Sequence, residues 1–271
     1  MAVNTSIHPT AVVHPSAIIE PGVIIEAYAY IGPNVRIGEG SYIHTHAIIM
    51  ENVIIGKNCQ IFPGAVIGAP PQDTRYKGEK TSVIIGDNNI IREFVTIHRA
   101  LGEGSTEIGS NNLLMAYSHI GHNCKVGNGV VMSNYVGISG HVVIEDNVTF
   151  GGIVGVHQWV TVGKLAMVGG YSKVVQDVPP FMIVDGRPAK VVGPNKVGLR
   201  RAGIPPAVRN QLKKAFLILF HSKLPLGKGI IKVQEEIPEQ SEELKKLLEF
   251  VNAMRQSRAG RQLERLARRR S

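Results

Sequence analysis

Residues 25–61 read IEAYAYIGPNVRIGEGSYIHTHAIIMENVIIGKNCQI, with isoleucine at every sixth position from Ile25 to Ile61. A period of six matches neither the 3.6-residue repeat of a helix nor the two-residue alternation of a strand. A short strand followed by a turn, repeated many times, does produce it. We therefore interpret this stretch as part of a repeat protein, in which each unit packs mainly on its neighbours.

The repeat extends in both directions from this stretch. Aliphatic residues keep one phase from Ile7 to Ile97, and a second run with the same period continues from Ile108 to Val174. Three units of six form a triangular coil, and stacked coils pair like parallel strands about 4.8 Å apart. The predicted fold is mainly β: a parallel β-helix of hexapeptide repeats over residues 1–189.

Small residues and glycines recur within the repeat. Ala29 and Ala47 stand four residues after an aliphatic position, and glycine often follows that position directly, as Gly32 and Gly56 do. We expect the small side chains to fit tight corners. We expect the glycines to supply the positive φ that a corner requires.

Two segments interrupt the pattern and predict excursions from the β-helix. Residues 69–84 are rich in polar residues, proline and glycine, although the count of six is kept across them. Ile97 and Ile108 are eleven residues apart, so about five extra residues loop out near 100–106. Function on a regular scaffold concentrates in such loops, which makes both excursions candidate parts of a site.

Residues 190–271 are predicted to form a link and an α-helical C-terminal domain. An irregular link runs to about Gly203. Apolar residues at helical spacing then predict a helix beginning at Pro205-Pro206, a second over Lys228–Glu236 and a third over Glu242–Arg258.

This C-terminal region carries the positive charge of the protein. The formal net charge is +9 at pH 7, and 19 Lys and Arg against 7 Asp and Glu lie between Lys190 and Ser271. A basic region fits an acidic protein, an anionic membrane surface or nucleic acid. Aromatic residues are not interleaved with the C-terminal arginines, which argues against stacking on bases and favours no nucleic-acid partner.

Localisation is predicted from what the sequence lacks. Cys59 and Cys124 are the only cysteines, too few for a disulfide framework and without zinc-site spacing. The N-terminal MAVNTSIHPT shows no signal-peptide pattern. The sequence also lacks an apolar run of about 18 residues, so no integral membrane segment is predicted. We expect a cytoplasmic protein.

Histidines recur at the coil period. Units three apart stack, so His98, His122, His141 and His157 are predicted to share one edge of the β-helix. Imidazole titrates near neutrality and can therefore take a proton from a hydroxyl and return it to a leaving group. Clustered histidines could also bind zinc. The column predicts either acid–base chemistry or a metal site.

Seven segments resemble the UDP-N-acetylglucosamine acyltransferase family: PPQDTRYKGE, REFVTIHR, NLLMAYSHIGHNCKVGN, GISGHVVI, VGVHQW, MVGGYSKVVQDVPP and GPNKVGLRRAG. The resemblance covers nearly the whole chain in order. It implies a left-handed β-helix and transfer of a fatty, 3-hydroxylated acyl group from acyl carrier protein to the 3-OH of UDP-N-acetylglucosamine, the first step of lipid A synthesis.

The resemblance also implies roles for residues. His122 matches the general base, followed by Asn123 where many members carry Asp. Arg75 stands where many have Lys. The remaining implied roles are acceptor binding by Asp73, Arg75 and His119, cleft lining by His98, His141, His157 and Gln158, nucleotide or phosphate contact by Asn195 and Arg201, and limitation of acyl length by Gly170.

The same resemblance implies partners. They are a UDP-amino sugar, an acyl carrier protein bound through the basic C-terminal region, and two further copies of the chain in a homotrimer; no cofactor or metal is implied. Three alternatives stay open on the residues alone. They are an acetyl-CoA-dependent sugar acetyltransferase, a zinc enzyme like carbonic anhydrase that uses His119 and His122, and a non-catalytic scaffold.

Overall fold

A computed structural model of the chain describes residues 4–222 and 224–255. Successive short strands wind into coils, and each full coil adds one strand to each of three parallel sheets. In register, Ile25 pairs with Ile43 and Ile61 pairs with Ile91, so the inward aliphatic residues of neighbouring coils stack directly. The predicted parallel β-helix is confirmed.

The three sheets have these strands. Sheet 1 contains Ser6–Ile7, Ile24–Ile25, Tyr42–Ile43, Gln60–Ile61, Ile90–Ile91, Leu113–Leu114, Val131–Met132, Thr149–Phe150, Met167–Val168, Met182–Gly186 and Ala189–Pro194. Sheet 2 contains Val12–Val13, Tyr30–Ile31, Ile48–Ile49, Val66–Ala69, Thr96–His98, His119–Ile120, Gly137–Ile138, Gly155–Val156 and Lys173–Val174. Sheet 3 contains Ile18–Ile19, Arg36–Ile37, Val53–Ile55, Ser82–Ile85, Ser105–Ile108, Lys125–Val126, Val143–Ile144 and Thr161–Val162.

The core of the β-helix is built from the residues that set the repeat. From Val23 onward, the inward aliphatic residues and the small residues four positions later are almost completely buried, as Ile31 and Ala47 illustrate. Burying a whole aliphatic side chain stabilises a fold by about 1.5–3 kcal/mol. Because every coil repeats this burial on its neighbours, the stack does not require a central aromatic core.

Positive φ occurs at the predicted corners, where glycine supplies it at Gly22, Gly40, Gly64 and Gly129, but other residues supply it in most coils. The residue in the left-handed conformation stands three positions after the inward aliphatic residue and is often asparagine, as at Asn34, Asn58 and Asn147. Asn adopts this conformation more easily than most residues. Gly32 and Gly56 are needed for a different reason: a Cβ on them would lie 2.9 Å or less from atoms of the next coil. The expectation about corner glycines is therefore wrong for these positions.

Both excursions leave the coil and return to it without changing the stack. The first loop covers residues 70–81 and the second covers 99–104. The strands that follow them, Ser82–Ile85 and Ser105–Ile108, pair with each other in sheet 3 along their whole length. The two loops therefore emerge from adjacent coils.

The segment after Val174 is ordered, so the prediction of an irregular link is wrong. Strands Met182–Gly186 and Ala189–Pro194 form an antiparallel hairpin, whose first strand extends sheet 1 beside Met167–Val168. Its second strand begins at the predicted boundary between residues 189 and 190. Helix α1, Lys196–Arg201, follows directly. Pro188 and Pro194 argue against strands in the sequence, so the apolar alternation of this hairpin was not recognised.

The C-terminal domain continues with α2 (Pro206–Phe216), a π-helical turn (Leu217–His221), α3 (Leu226–Glu236) and α4 (Glu242–Arg255). Their apolar faces pack on one another and on Phe181 and Met182. Predicted residues 256–258 of the last helix and the Arg-rich tail lie outside the described residues. None of the described helices is long and apolar enough to cross a membrane.

Candidate active site

Four histidines meet at the edge between sheets 2 and 3. The rings of His98 and His119 contact edge to face, with centroids 4.8 Å apart, and those of His122 and His141 do the same at 5.1 Å. His157 follows Val156, whose strand pairs with that of Ile138, so it stands one coil further along. The structure thus places the histidines along one edge, as the coil period predicts.

The proton on His122 is positioned by its neighbour. Asn123 Oδ1 lies 2.8 Å from His122 Nδ1 and also accepts the Leu101 N–H at 2.8 Å, whereas Asn123 Nδ2 donates to Leu101 O at 3.2 Å. These contacts decide which end of the amide is oxygen. An amide oxygen only accepts, so Nδ1 carries the hydrogen and neutral His122 has its lone pair on Nε2. Nε2 is therefore the ring nitrogen that can accept a proton.

Loop 70–81 brings a carboxylate to that lone pair. Asp73 Oδ2 lies 3.8 Å from His122 Nε2. The carboxylate accepts hydrogen bonds from the Arg75 N–H, Nε and Nη2 at 2.8–3.0 Å. These bonds to Arg75 hold the pKa of Asp73 well below its usual range. Asp73 is therefore charged at neutral pH and faces the same space as His122 Nε2.

The other cluster histidines are held neutral. Burial, followed by repulsion from His119 and His122, lowers the pKa of His98 from 6.5 to about 4. Burial, followed by repulsion from His122, likewise lowers the pKa of His141 to about 4. Burial also lowers the pKa of His119. Neutral imidazoles around His122 can act as hydrogen-bonding groups without adding positive charge to the cleft.

Sequence reasoning missed three residues that shape this cluster. Thr96 Oγ1 lies 2.8 Å from His119 Nδ1. Trp159 stacks on His141, with ring centroids 3.9 Å apart. A Cβ on Gly140 would lie 2.5 Å from the His122 ring, so only glycine fits there. Gly140 and Trp159 stand one 18-residue coil after His122 and His141, so the period could have identified both.

Several predicted residues lie outside the cluster. Gly170 is at the edge between sheets 1 and 2, on the opposite side of sheet 2. Asn195 Oδ1 caps α1 by accepting the Gly198 N–H, and its Nδ2 donates to Leu165 O. Arg201 is the last residue of α1. Gln158 O lies 3.1 Å from His157 Nδ1. Their implied substrate roles stay predictions.

Within residues 4–222 and 224–255, no three His, Cys, Asp or Glu side chains are arranged to hold an ion. Cys59 and Cys124 are free thiols buried in the core.

Comparison with known proteins decides the family. The UDP-N-acetylglucosamine O-acyltransferase domain 2 description matches residues 177–261, the six-repeat bacterial transferase hexapeptide description matches 105–140, and the GMPPB C-terminal domain description matches 3–72. A curated acyl-[acyl-carrier-protein]–UDP-N-acetylglucosamine O-acyltransferase from Thermodesulfovibrio yellowstonii is 50% identical over 249 residues, 91% of this chain and 96% of that protein. The chain belongs to the UDP-N-acetylglucosamine O-acyltransferase family.

Solved structures of this family share the fold. The UDP-N-acetylglucosamine O-acyltransferase of Moraxella catarrhalis superposes with a TM-score of 0.86 at 39% identity, covering 91% of this chain and 96% of that one. The Bacteroides fragilis enzyme gives 0.87 at 39% identity, covering 90% and 96%. This O-acyltransferase family member is therefore a left-handed parallel β-helix and an acyltransferase. The predicted fold, family and enzyme class are confirmed.

Proposed function

We propose that this protein transfers a fatty acyl group, 3-hydroxylated in the preferred donor, from acyl carrier protein to the 3-OH of UDP-N-acetylglucosamine, which begins lipid A synthesis. The observation that carries the proposal is His122 Nε2, whose lone pair faces Asp73 because Asn123 holds the hydrogen on Nδ1. Support also comes from relatives that are named as acyl-[acyl-carrier-protein]–UDP-N-acetylglucosamine O-acyltransferases and that align with most of this chain.

The residues supply the proton transfers of an acyl transfer. Nε2 of His122 takes the proton of the sugar 3-OH as its oxygen attacks the thioester carbonyl carbon. The tetrahedral intermediate collapses by breaking the carbon–sulfur bond, and the departing sulfur receives the proton from His122. The products are the sugar ester and the free thiol of the carrier. Charged Asp73 stabilises the intermediate imidazolium, and the loop that carries Asp73 and Arg75 binds the acceptor sugar.

The acyl chain is proposed to lie on sheet 2. His122 and Gly170 stand at opposite edges of that sheet, and between them the outward positions of two consecutive strands are Gly137 and Gly155. A Cβ on Gly155 would meet nothing within 4 Å, so the fold itself does not require glycine there. This bare strip suits a hydrocarbon chain that ends near Gly170. Cleft contacts by His98, His157 and Gln158, and nucleotide contacts by Asn195 and Arg201, complete the proposed site.

Assembly into a homotrimer is proposed to bury an apolar column on the edge between sheets 1 and 2. Phe94, Tyr117 and Tyr135 stack with centroids 5.0–5.1 Å apart, and Ile153 and Tyr171 continue the column. Each is 46–61% exposed. Apolar patches of this extent mark association surfaces. Light scattering should give three chains of 29.4 kDa for the native protein, and Tyr117→Asn with Tyr135→Asn should give a smaller species.

The carrier partner is proposed to dock on the C-terminal domain. Helices α1 and α2 border an apolar cavity of about 430 Å³ with Lys196 and Lys213 in its lining. An acidic carrier would be steered there by charge, which speeds association and weakens with salt. The predicted cytoplasmic location agrees with two buried free thiols. If the donor is instead acetyl-CoA, it should outcompete the acyl carrier thioesters in a mixed assay.

The test is product analysis by mass spectrometry with UDP-N-acetylglucosamine and a panel of acyl carrier thioesters of different length. We expect one O-acylated sugar nucleotide and loss of turnover in folded His122→Ala. Gly170→Met, which the backbone can accept with its Cβ 3.4 Å from Gly152 O, should favour shorter donors. Undiminished turnover by His122→Ala would reject the mechanism.

A further inference from the structure

Asn123 uses its amide to close loop 99–104. Besides exchanging two hydrogen bonds with Leu101, its Nδ2 donates to Glu103 O at 3.4 Å. Its own N–H donates to Thr106 Oγ1 at 2.9 Å, at the end of the same loop. An aspartate, which many family members carry here, has no side-chain N–H and would set a carboxylate against two carbonyl oxygens. The amide can therefore donate hydrogen bonds to these two carbonyl oxygens, which a carboxylate cannot do.

Loop 99–104 is in turn bonded to loop 70–81. Thr81 Oγ1, on a side chain only 2% exposed, donates to Ala100 O at 2.6 Å. At the other end, the Arg99 N–H donates to Ala69 O at 3.0 Å. The two loops are thus joined where the first begins and where it ends. Separation of the loops at either end would break one of these hydrogen bonds.

The base of both loops is fixed by a buried charge. The Arg99 guanidinium pairs with Glu51, and Arg99 is 5% exposed. Displacing Arg99 would separate its buried guanidinium from a Glu51 carboxylate that is 36% exposed, which leaves the cation without its partner and is unfavourable. Residues 100–104 are therefore the part of the second loop whose position depends on Asn123 and Thr81.

We propose that Asn123 is a positioning residue that couples the general base to the acceptor-binding loop. The connection runs from His122 through Asn123 and Leu101 to Ala100, Thr81 and the loop that carries Asp73. Acceptor contacts that hold loop 70–81 in place also hold loop 99–104, and through it the amide that keeps His122 Nε2 unprotonated. The chemical consequence rests on the proposed function, whereas the closure of the loops by Asn123 does not.

Hydrogen exchange of the full-length protein tests the closure independently of activity. In Asn123→Asp the new carboxylate repels Leu101 O and Glu103 O, which the amide N–H had bonded, and the loop should open. The Leu101 amide should then exchange at least tenfold faster, and the Tyr76 amide, bonded to Asp73 O within loop 70–81, should follow. Asn147→Asp is the matched control, since Asn147 holds the same left-handed turn position in another coil. Unchanged exchange at Leu101 in Asn123→Asp would overturn the proposal.

A double-mutant cycle tests the coupling to chemistry. Asn123→Asp and Thr81→Val should each lower kcat/KM about tenfold, since each leaves buried polar groups unpaired. If both act through one loop, the double variant should also be about tenfold lower, not about a hundredfold. Multiplying effects would refute the coupling. Ser41→Ala, which removes a buried hydroxyl bonded to Gly56 O far from the loops, should leave kcat/KM unchanged.

The pH profile separates positioning from a general loss of stability. In Asn123→Asp the acid limb of kcat/KM should move to higher pH, because the new carboxylate favours the imidazolium; in Thr81→Val it should stay in place. An unmoved limb in Asn123→Asp would show that residue 123 does not set the protonation of the base. If the native protein acylates no UDP-N-acetylglucosamine, the proposed function fails while the exchange result still decides the loop closure.

Discussion

His122 Nε2 lies 3.8 Å from Asp73 Oδ2, although one residue belongs to a coil and the other to a loop. A hydroxyl beside this pair, within about 2.8 Å of each atom, would face a nitrogen lone pair and a carboxylate. The contact is reached only because loop 70–81 folds back over the histidine edge. Its geometry carries the first of four predictions.

Asp73→Asn should lower kcat about a hundredfold, since the imidazolium that forms during transfer loses an attractive charge. For the same reason, the acid limb of the kcat/KM profile should move to lower pH. Steady-state kinetics between pH 5 and 9 measure both. Asp87→Asn, which alters a turn-capping carboxylate bonded to the Lys57 N–H, is the control. An Asp73→Asn profile that overlays the native one would contradict a charge effect.

Thr96→Val should reduce kcat/KM about tenfold with little change in stability, because the variant keeps the shape of the side chain but loses the bond to His119 Nδ1. Without it the His119 ring has no fixed tautomer. Thr149→Val, at the equivalent outward position of sheet 1, should be silent. Equal activity of the two variants would show that Thr96 does not orient His119.

His141→Asn should make stability less dependent on pH. The folded pKa of His141, about 4, is below its ordinary value of 6.5. The unfolded chain therefore binds a proton that the fold rejects, and stability is lost as pH falls from about 6.5 to about 4. His141 is partly exposed, so solvent screening reduces the effect to about 1–2 kcal/mol. Asn suits the left-handed turn that His141 occupies.

Urea unfolding at pH 7 and 4.5 measures this effect, and Trp159, the single tryptophan of the chain, gives the fluorescence signal. His46→Asn is the control, since His46 has the same turn conformation but is exposed. Between pH 7 and pH 4.5, the free energy of unfolding of the native protein should fall by more than that of His141→Asn. Parallel drops would argue against a buried neutral His141.

Gly56→Ala should destabilise the protein by more than about 2 kcal/mol, whereas Gly155→Ala should change stability little. A Cβ on Gly56 would overlap the backbone of Gly86, but one on Gly155 meets nothing within 4 Å. Thermal unfolding compares them. Gly155→Ala should nonetheless lower activity with long acyl donors if the chain crosses sheet 2. If Gly155→Ala were the less stable of the two variants, the close approach of Gly56 to the backbone of Gly86 would be contradicted.

The repeat made the β-helix predictable, because the inward aliphatic positions from Ile25 to Ile97 and from Ile108 to Val174 recur in multiples of six and are buried. The column of His98, His122 and His141 was predicted from the same period, because units three apart stack on one another. The approach of Asp73 to His122 did not, since a loop of irregular sequence carries no period that places it. The hairpin after Met182 was missed because its prolines conceal strand alternation, and the turn role of asparagine was missed because glycine was the more obvious candidate.

Loops 70–81 and 99–104 enter and leave the stack without altering the number or register of the coils. The two loops are therefore separable from the buried residues that hold the coils together. We expect such loops to be transplantable: a related solenoid that received both could acquire acceptor recognition while its scaffold stayed as it was. In evolution, the same separation lets substrate preference drift without endangering the fold.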